Sequence, residues 1–157
     1  MLEHLKLHLA DKTVILGIGN TLRGDDGAGA LLASRIQGKV PYIVYDSGPT
    51  PENYLGKIIK DKPRTVVIAD AVDFGGKPGE IREIEAGSVE TANFFSTHNS
   101  SITLVINYLQ KNLKADIIIL AIQPKHISFT DTLSPEISQA LEVLENWFSR
   151  IARDSKH

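Results

Sequence analysis

The sequence has no cysteine among its 157 residues. This absence excludes disulfide scaffolds, thiolate zinc sites, iron–sulfur clusters, redox dithiols and cysteine nucleophiles. Any metal that the chain binds must therefore be held by oxygen and nitrogen ligands.

Long hydrophobic runs and an excess of positive charge are also missing. The longest apolar run, Ile117 to Ile122, is far shorter than the roughly 18 residues that span a bilayer, and Met1 to Asp11 mixes charged with apolar residues. We therefore expect no signal peptide, no membrane insertion and a cytoplasmic location. The 17 Lys and Arg residues against 19 Asp and Glu residues give a net charge of −2, which disfavours nucleic-acid binding.

The length and composition of the chain indicate an ordinary globular protein. Its length predicts one domain over residues 1–157, and its 42% hydrophobic and 23% charged residues are close to the globular average. Near-continuous apolar segments rich in β-branched residues predict strands that are covered on both faces of a parallel sheet. These segments are 13–18, 42–45, 65–69 and 116–122.

The remaining patterns complete the predicted fold. The segment from Glu80 to Glu85 alternates between polar and apolar residues, which predicts a half-exposed edge strand. An edge strand can be parallel or antiparallel to its neighbour, so its direction stays open. Helical periodicity occurs at 27–37, 51–60, 98–112 and 135–151. The alternation of strands and helices predicts a three-layer α/β/α domain with a mostly parallel sheet of about five strands.

A glycine-rich stretch, 17–29, follows the first strand, where a nucleotide-binding protein would carry its phosphate loop. The dinucleotide pattern requires a third glycine where this chain has Leu22, and Asp25 and Asp26 would repel a phosphate. Asp46 follows the second strand and could act as a ribose-binding acid. A nucleotide-dependent oxidoreductase therefore stays open as an alternative.

Three candidate site residues belong to loops at the carboxyl ends of the strands: Asp26, Asp70 and His98. Two carboxylates and an imidazole form a ligand set suited to nickel, zinc, manganese or iron(II). Each residue alone also has a structural explanation, as a helix-start cap, a loop cap or a hydrogen-bonding histidine. The other histidines have no carboxylate pattern around them, except for Asp131 near His126; they are His4, His8, His126 and His157.

Several ordered motifs resemble the NiFe-hydrogenase maturation endopeptidases, most closely their formate-hydrogenlyase branch. The motifs are Gly19-Asn20-x-Leu22-x-Gly24-Asp25-Asp26-Gly27-x-Gly29, Asp46-x-Gly48-x-x-Pro51-Glu52-Asn53, Asp70-Ala71-x-Asp73, Pro78-Gly79-Glu80-Ile81-Arg82, Thr97-His98-Asn99, Ile122-Gln123-Pro124 and Leu133-Ser134-Pro135-Glu136. The family usually has two glycines after the aspartate of the second motif, whereas this chain has Ser47 and Gly48. Because serine tolerates fewer backbone conformations than glycine, the shape of that loop is open.

The resemblance implies a phosphorylase/hydrolase-like α/β endopeptidase that removes the C-terminal extension of a NiFe-hydrogenase large-subunit precursor after nickel insertion. The catalytic and metal-contacting residues of the family fall on Asp26, Asp70 and His98. The nickel would be supplied by the precursor, where cysteines hold it, and no organic cofactor is implied. We expect the precursor as partner and a monomeric enzyme. The water-activating group stays open, as does a nickel-handling chaperone that does not cleave.

Overall fold

The computed structural model describes residues 2–9, 12–87 and 100–154. Five strands form one sheet in the order β2-β1-β3-β5-β4. The strands are β1 (Thr13–Gly17), β2 (Ile43–Asp46), β3 (Thr65–Ala71), β4 (Ile81–Glu85) and β5 (Asp116–Ile122). The first four strands of that order are parallel, and β4 is antiparallel to β5 at the edge.

Helices cover both faces of the sheet. They are α1 (Glu3–His8), α2 (Ala28–Ile36), α3 (Leu55–Asp61), α4 (Ser100–Asn112) and α5 (Pro135–Asp154). One apolar core lies between the sheet and α1, α2 and α5, and the other lies between the sheet and α3 and α4. The three-layer α/β prediction with a five-strand, mostly parallel sheet is therefore confirmed.

Strand alternation decides which core each side chain enters. In β3, Val67 and Ala69 belong to the core beneath α2 and α5, whereas Val66 and Ile68 belong to the core beneath α3 and α4. Every residue of β3 is buried, as expected for a central strand covered on both faces. The glycine Gly29 lets α2 approach β3 closely, because a Cβ at this position would collide with the backbone oxygen of Ala69.

The observed elements differ from the sequence prediction by one residue at the ends of β1 and β2, and by more at β3, at two helix starts and at α1. The strand β3 continues to Ala71, so Asp70 lies within the strand and not after it. The predicted helices at 27–37 and 51–60 each begin with a 3₁₀ turn, Gly24–Gly27 and Pro51–Tyr54. The short helix α1 was not predicted, because six residues are too few to establish a period. None of the helices in the described ranges has the length and apolarity needed to cross a bilayer.

Candidate active site

Four loops meet at the edge of the sheet where the parallel strands end. They follow β1, β2, β3 and β5. The first loop, 18–27, includes the 3₁₀ turn Gly24–Gly27, and the others span 47–50, 72–80 and 123–134. Backbone hydrogen bonds tie them to one another: Gly19 donates to the carbonyl of Gly48 over 3.0 Å, and Gly24 donates to that of Thr130 over 2.8 Å. This edge is where α/β sheets bind ligands.

Asp25 has no exposed surface and joins the first loop to the last. Its Oδ2 accepts hydrogen bonds from the backbone N–H groups of Lys125 and His126, both over 2.9 Å, and from the Ser134 hydroxyl over 2.8 Å. Its Oδ1 accepts from the backbone N–H of Ser134 over 2.8 Å. This carboxylate therefore holds the residue that immediately precedes α5, where the helix dipole also favours a negative charge.

The environment of Asp25 favours its ionised form. Burial by itself would raise the pKa of Asp25, but the hydrogen bonds from His126, Ser134 and Lys125 outweigh burial and lower that pKa below its ordinary value of 3.8. The carboxylate is therefore an acceptor committed to four donors. It is not available to a substrate.

Asp26, the next residue, is only half-buried. Its Oδ2 accepts a hydrogen bond from the backbone N–H of Asn20 over 3.3 Å. The 3₁₀ turn that carries it packs beside β3, with Cα atoms of the two elements within 8 Å of one another. Asp26 is thus presented at the rim by a loop whose position Asp25 maintains.

Asp70 belongs to β3 and is 2% exposed. It pairs in register with Ala121 of β5, one residue beyond the pair that Ala69 forms with Leu120. By strand alternation it lies on the face of the sheet that α3 and α4 cover, as Ile68 does. The strands β1 and β3 are neighbours, so the structure brings the elements that carry Asp26 and Asp70 together at one edge.

His98 lies outside the described residues, and so do Thr97 and Asn99. The helix that follows is described from Ser100. It ends at Asn112, and β5 begins at Asp116, at the amino edge of the sheet. A 13-residue helix is about 20 Å long, so α4 starts toward the opposite, carboxyl edge, on the face of the sheet that Asp70 shares. The assignment of His98 stays a prediction.

The second loop accommodates Ser47 without backbone strain. Among the described residues, only Leu2 and Lys62 are non-glycine residues with a positive φ, whereas Gly48 has a φ of 55°. The Ser47 hydroxyl donates to the carbonyl of Gly17 over 2.9 Å, which ties the loop to β1. The left-handed position is thus taken by the remaining glycine, and serine adds a hydrogen bond that a glycine could not make.

Asp46 is the last residue of β2, and not the first residue after the strand as predicted, and its side chain has a local role at the start of the second loop. Its Oδ1 accepts the backbone N–H of Gly48 over 3.0 Å, the pattern of an Asx turn. The side chain is exposed and stabilises the turn after β2. This contact gives no support to a ribose-binding role.

Gln123 is a buried side chain to which the sequence pattern assigned no role. Its Oε1 accepts from the backbone N–H groups of Phe74 and Gly76, over 2.9 and 3.0 Å, and its Nε2 donates to Asp73 over 3.1 Å. It therefore connects the end of β5 to the loop after β3. The sequence feature that could have predicted this role is the position of an amide side chain between a buried strand and a proline, in the motif Ile122-Gln123-Pro124.

A family model described as hydrogenase maturation protease (HycI) matches residues 29–150. The chain belongs to the hydrogenase maturation protease family. The matched range includes Asp70 and His98 and begins just after the Asp25–Asp26 pair.

Individual members of this family align over most of the chain. The hydrogenase 3 maturation protease of Escherichia coli strain K12 is 36% identical over 140 residues, which cover 85% of this chain and 89% of the relative. A putative hydrogenase maturation protease of Methanocaldococcus jannaschii is 30% identical over 162 residues and covers 96% of this chain and 94% of the relative.

Solved structures of this family share the fold. The crystal structure of the NiFe-hydrogenase maturation protease HycI from Thermococcus kodakarensis has a TM-score of 0.83 and 31% identity, and the alignment covers 96% of this chain and 99% of that one. The solution structure of the endopeptidase HycI from Escherichia coli has a TM-score of 0.78 and 34% identity, with coverages of 88% and 90%. The predicted peptidase of hydrogenase maturation is thus confirmed, and the non-cleaving chaperone and the oxidoreductase are set aside.

Proposed function

We propose that this chain removes the C-terminal extension of a NiFe-hydrogenase large-subunit precursor after nickel has been inserted, and that the precursor-bound nickel is its recognition element. In this proposal Asp26, Asp70 and His98 contact the nickel, which belongs to the substrate. The enzyme acts as one domain over residues 1–157, as a monomer in the cytoplasm, and uses no organic cofactor.

The observation that supports the proposal is the position of Asp26 and Asp70 in the fold. Asp26 lies in the 3₁₀ turn that follows β1, this turn packs beside β3, and Asp70 lies near the end of β3, the parallel neighbour of β1. In the sequence His98 comes two residues before the described start of α4, and α4 covers the face of the sheet on which Asp70 lies. Two carboxylates and an imidazole suit a divalent nickel ion that keeps further ligands from the precursor.

The absence of cysteine is consistent with nickel as part of the substrate. Because the enzyme has no cysteine, it has no thiolates that would compete with those of the precursor for the nickel ion. Carboxylate and imidazole ligands release the processed product more easily than thiolates would. The nickel would thereby report that insertion is complete and place the scissile peptide bond at the rim.

Hydrolysis requires a water molecule that adds to the carbonyl carbon of the scissile peptide. A carboxylate takes one proton of that water as the C–O bond forms, and the leaving amine takes a proton as the C–N bond breaks. Asp26 is half-buried and therefore accessible to such a water, whereas Asp70 is 2% exposed. We assign contact with the nickel to Asp26, Asp70 and His98. We assign activation of the water to Asp26 alone.

An apolar rim beside Asp26 offers a surface for the precursor. Leu22 and Ile127 are exposed, and Phe129 is 92% exposed. The two segments are held together, since Arg23 and Thr130 form a β-bridge and Thr130 donates to the carbonyl of Leu22 over 3.0 Å. We define the apolar rim as these three side chains and assign to it the polypeptide next to the scissile bond.

Mass spectrometry of a large-subunit precursor tests this function. Precursor with and without inserted nickel is incubated with the enzyme, and loss of a C-terminal peptide from the nickel-loaded form alone is expected. Asp26→Ala and His98→Ala should leave the precursor intact, while Asp154→Ala, which removes an exposed carboxylate at the end of α5, should cleave it normally. Equal cleavage of both precursor forms would contradict nickel recognition, and no cleavage of confirmed nickel-loaded precursor would contradict the assigned substrate.

A further inference from the structure

A second group of metal-type ligands lies at the opposite edge of the sheet from the candidate active site. The ligand atoms of His4, His8 and Glu85 all lie within 4.8 Å of one another. Within ranges 2–9, 12–87 and 100–154, these are the only three His, Asp or Glu side chains that converge in this way. Both histidines are partly exposed and Glu85 is exposed, so an ion in solvent can reach them.

The fold holds this group in place through α1. The carboxylate of Glu83 accepts the backbone N–H of Leu5 over 2.6 Å and that of His4 over 3.3 Å, which fixes the start of the helix against β4. The Leu5 side chain is fully buried in the core. His4 and His8 are four residues apart, so a helix places them on one face. Glu85, two residues after Glu83, points to the same face of β4 as Glu83 does, toward α1.

The hydrogen bonds of the two imidazoles suit metal binding. The Nδ1 of His8 lies 2.9 Å from the carbonyl of His4, to which it can only donate, so Nε2 is the ring nitrogen left to face an ion. A ligating histidine commonly donates its other ring N–H to such a carbonyl. The Nε2 of His8 lies 3.6 Å from a carboxylate oxygen of Asp116, and the Nε2 of His4 lies 2.6 Å from a carboxylate oxygen of Glu85.

We propose that His4, His8 and Glu85 bind one divalent transition-metal ion of the zinc or nickel type, with water in the open position. Two imidazoles and a carboxylate are a ligand set that such ions prefer over magnesium or calcium. Bonds of about 2.0–2.2 Å at tetrahedral angles separate ligand atoms by roughly 3.3–3.6 Å. The Nε2 of His4 and the Glu85 carboxylate, now 2.6 Å apart, must therefore separate by about 1 Å, which rotation of the exposed Glu85 side chain allows. The ion takes the place of the direct contact between His4 and Glu85.

This proposed metal site lies far from the active site, and an ion bound there would have a structural effect and not a catalytic one. It lies near Asp116, the first residue of β5, and the seven residues of that strand place it about 20 Å from the carboxyl edge. A bound ion would join α1 to β4 and stabilise the helix against local opening. It would be a resident ion, whereas the nickel at the other edge arrives with the precursor.

Residue-resolved NMR of the full, untagged chain during titration with zinc tests this inference. The expected result is a saturable change at one equivalent in the amide signals of Leu5 to Leu9 and of Glu83 to Ala86. His8→Gln and Glu85→Gln should each weaken binding by about tenfold or more, because one ligand is lost. His126→Gln removes an exposed histidine at the opposite edge and should leave these changes unaltered.

The contrary results are equally clear. Unmoved α1 and β4 signals at excess zinc would overturn the proposal, as would wild-type affinity in both His8→Gln and Glu85→Gln. Glu85→Gln alters an exposed side chain and should fold normally, which its amide spectrum without zinc verifies. Because the readout is local to α1 and β4, binding of zinc at Asp26 and Asp70 would not be mistaken for binding here.

Discussion

The regions around Asp25 and Asp26 use two successive carboxylates in opposite ways. Asp25 is fully buried and accepts four hydrogen bonds from the loop that leads into α5. Asp26 is half-buried and accepts a longer hydrogen bond, at 3.3 Å, from the backbone of Asn20 in the first loop itself. One carboxylate is therefore part of the scaffold, and the other is presented at the rim.

This difference explains why the first loop contains two acids where one would cap a helix. A side chain that meets substrate needs a loop of defined shape, and loops at a sheet edge have few apolar contacts to define one. Here the shape is defined by buried polar groups: Asp25 joins the loop to 123–134, Ser47 joins the second loop to β1, and Gln123 joins the third loop to β5. The scaffold carboxylate makes the position of the presented one specific.

The largest effect is expected from Asp26→Ala. Processing of nickel-loaded precursor should fall about 10³-fold, the contribution of a positioned general base, while the free energy of unfolding changes by less than about 0.5 kcal/mol. A single-turnover time course and urea unfolding measure the two quantities. If Asp26→Ala strongly lowered the free energy of unfolding, Asp26 would be part of the scaffold like Asp25, and the assigned difference between the two aspartates would be wrong.

Asp25→Ala should have the reverse profile. It leaves the backbone N–H groups of Lys125, His126 and Ser134 without their acceptor, and we expect the free energy of unfolding to fall by about 3 kcal/mol. The midpoint of urea unfolding, at an unchanged slope, reports this loss. An unfolding midpoint equal to that of the wild-type protein would contradict the scaffold role.

The pH dependence of stability provides a smaller but more selective comparison. Hydrogen bonds outweigh burial and hold the pKa of Asp25 below 3.8, so its ionised form stabilises the fold fully above pH 3.8, and this contribution is lost as the pH falls through the lowered pKa. The stability difference between wild type and Asp25→Asn should therefore shrink on acidification from about pH 5 to about pH 2. Urea unfolding at each pH measures it. Parallel pH profiles for the two proteins would refute the assigned cause.

The smallest effect is expected at the apolar rim. Phe129→Ala should slow processing at limiting precursor by about fivefold, corresponding to about 1 kcal/mol of lost apolar contact, with saturated turnover nearly unchanged. Because Phe129 is 92% exposed, its removal should not alter the unfolding midpoint. Initial rates over a range of precursor concentrations separate the two parameters. A loss confined to saturated turnover would place Phe129 in the chemical step instead of in docking.

The sequence predicted the parts of this molecule that depend on local pattern. Apolar runs located β1 and β5, alternation identified β4 as an edge strand while leaving its direction open, and helical periodicity from residue 135 located α5. The loops that carry the candidate site could be predicted because parallel strands end at a common edge of the sheet. Long-range partners could not: the donors to Asp25 are 100 to 109 residues away, and Glu85 is 81 residues from His4. No local pattern carries such pairs.

The most direct test of the division between the two aspartates is the single-turnover cleavage rate of nickel-loaded precursor by Asp25→Asn and Asp26→Asn, side by side. Both are measured at a temperature at which circular dichroism shows each protein to be folded. We predict that Asp25→Asn cleaves within about tenfold of the wild-type rate and that Asp26→Asn is slower than Asp25→Asn by at least about 100-fold. Equal rates for the two folded variants, or a slower Asp25→Asn, would contradict the account.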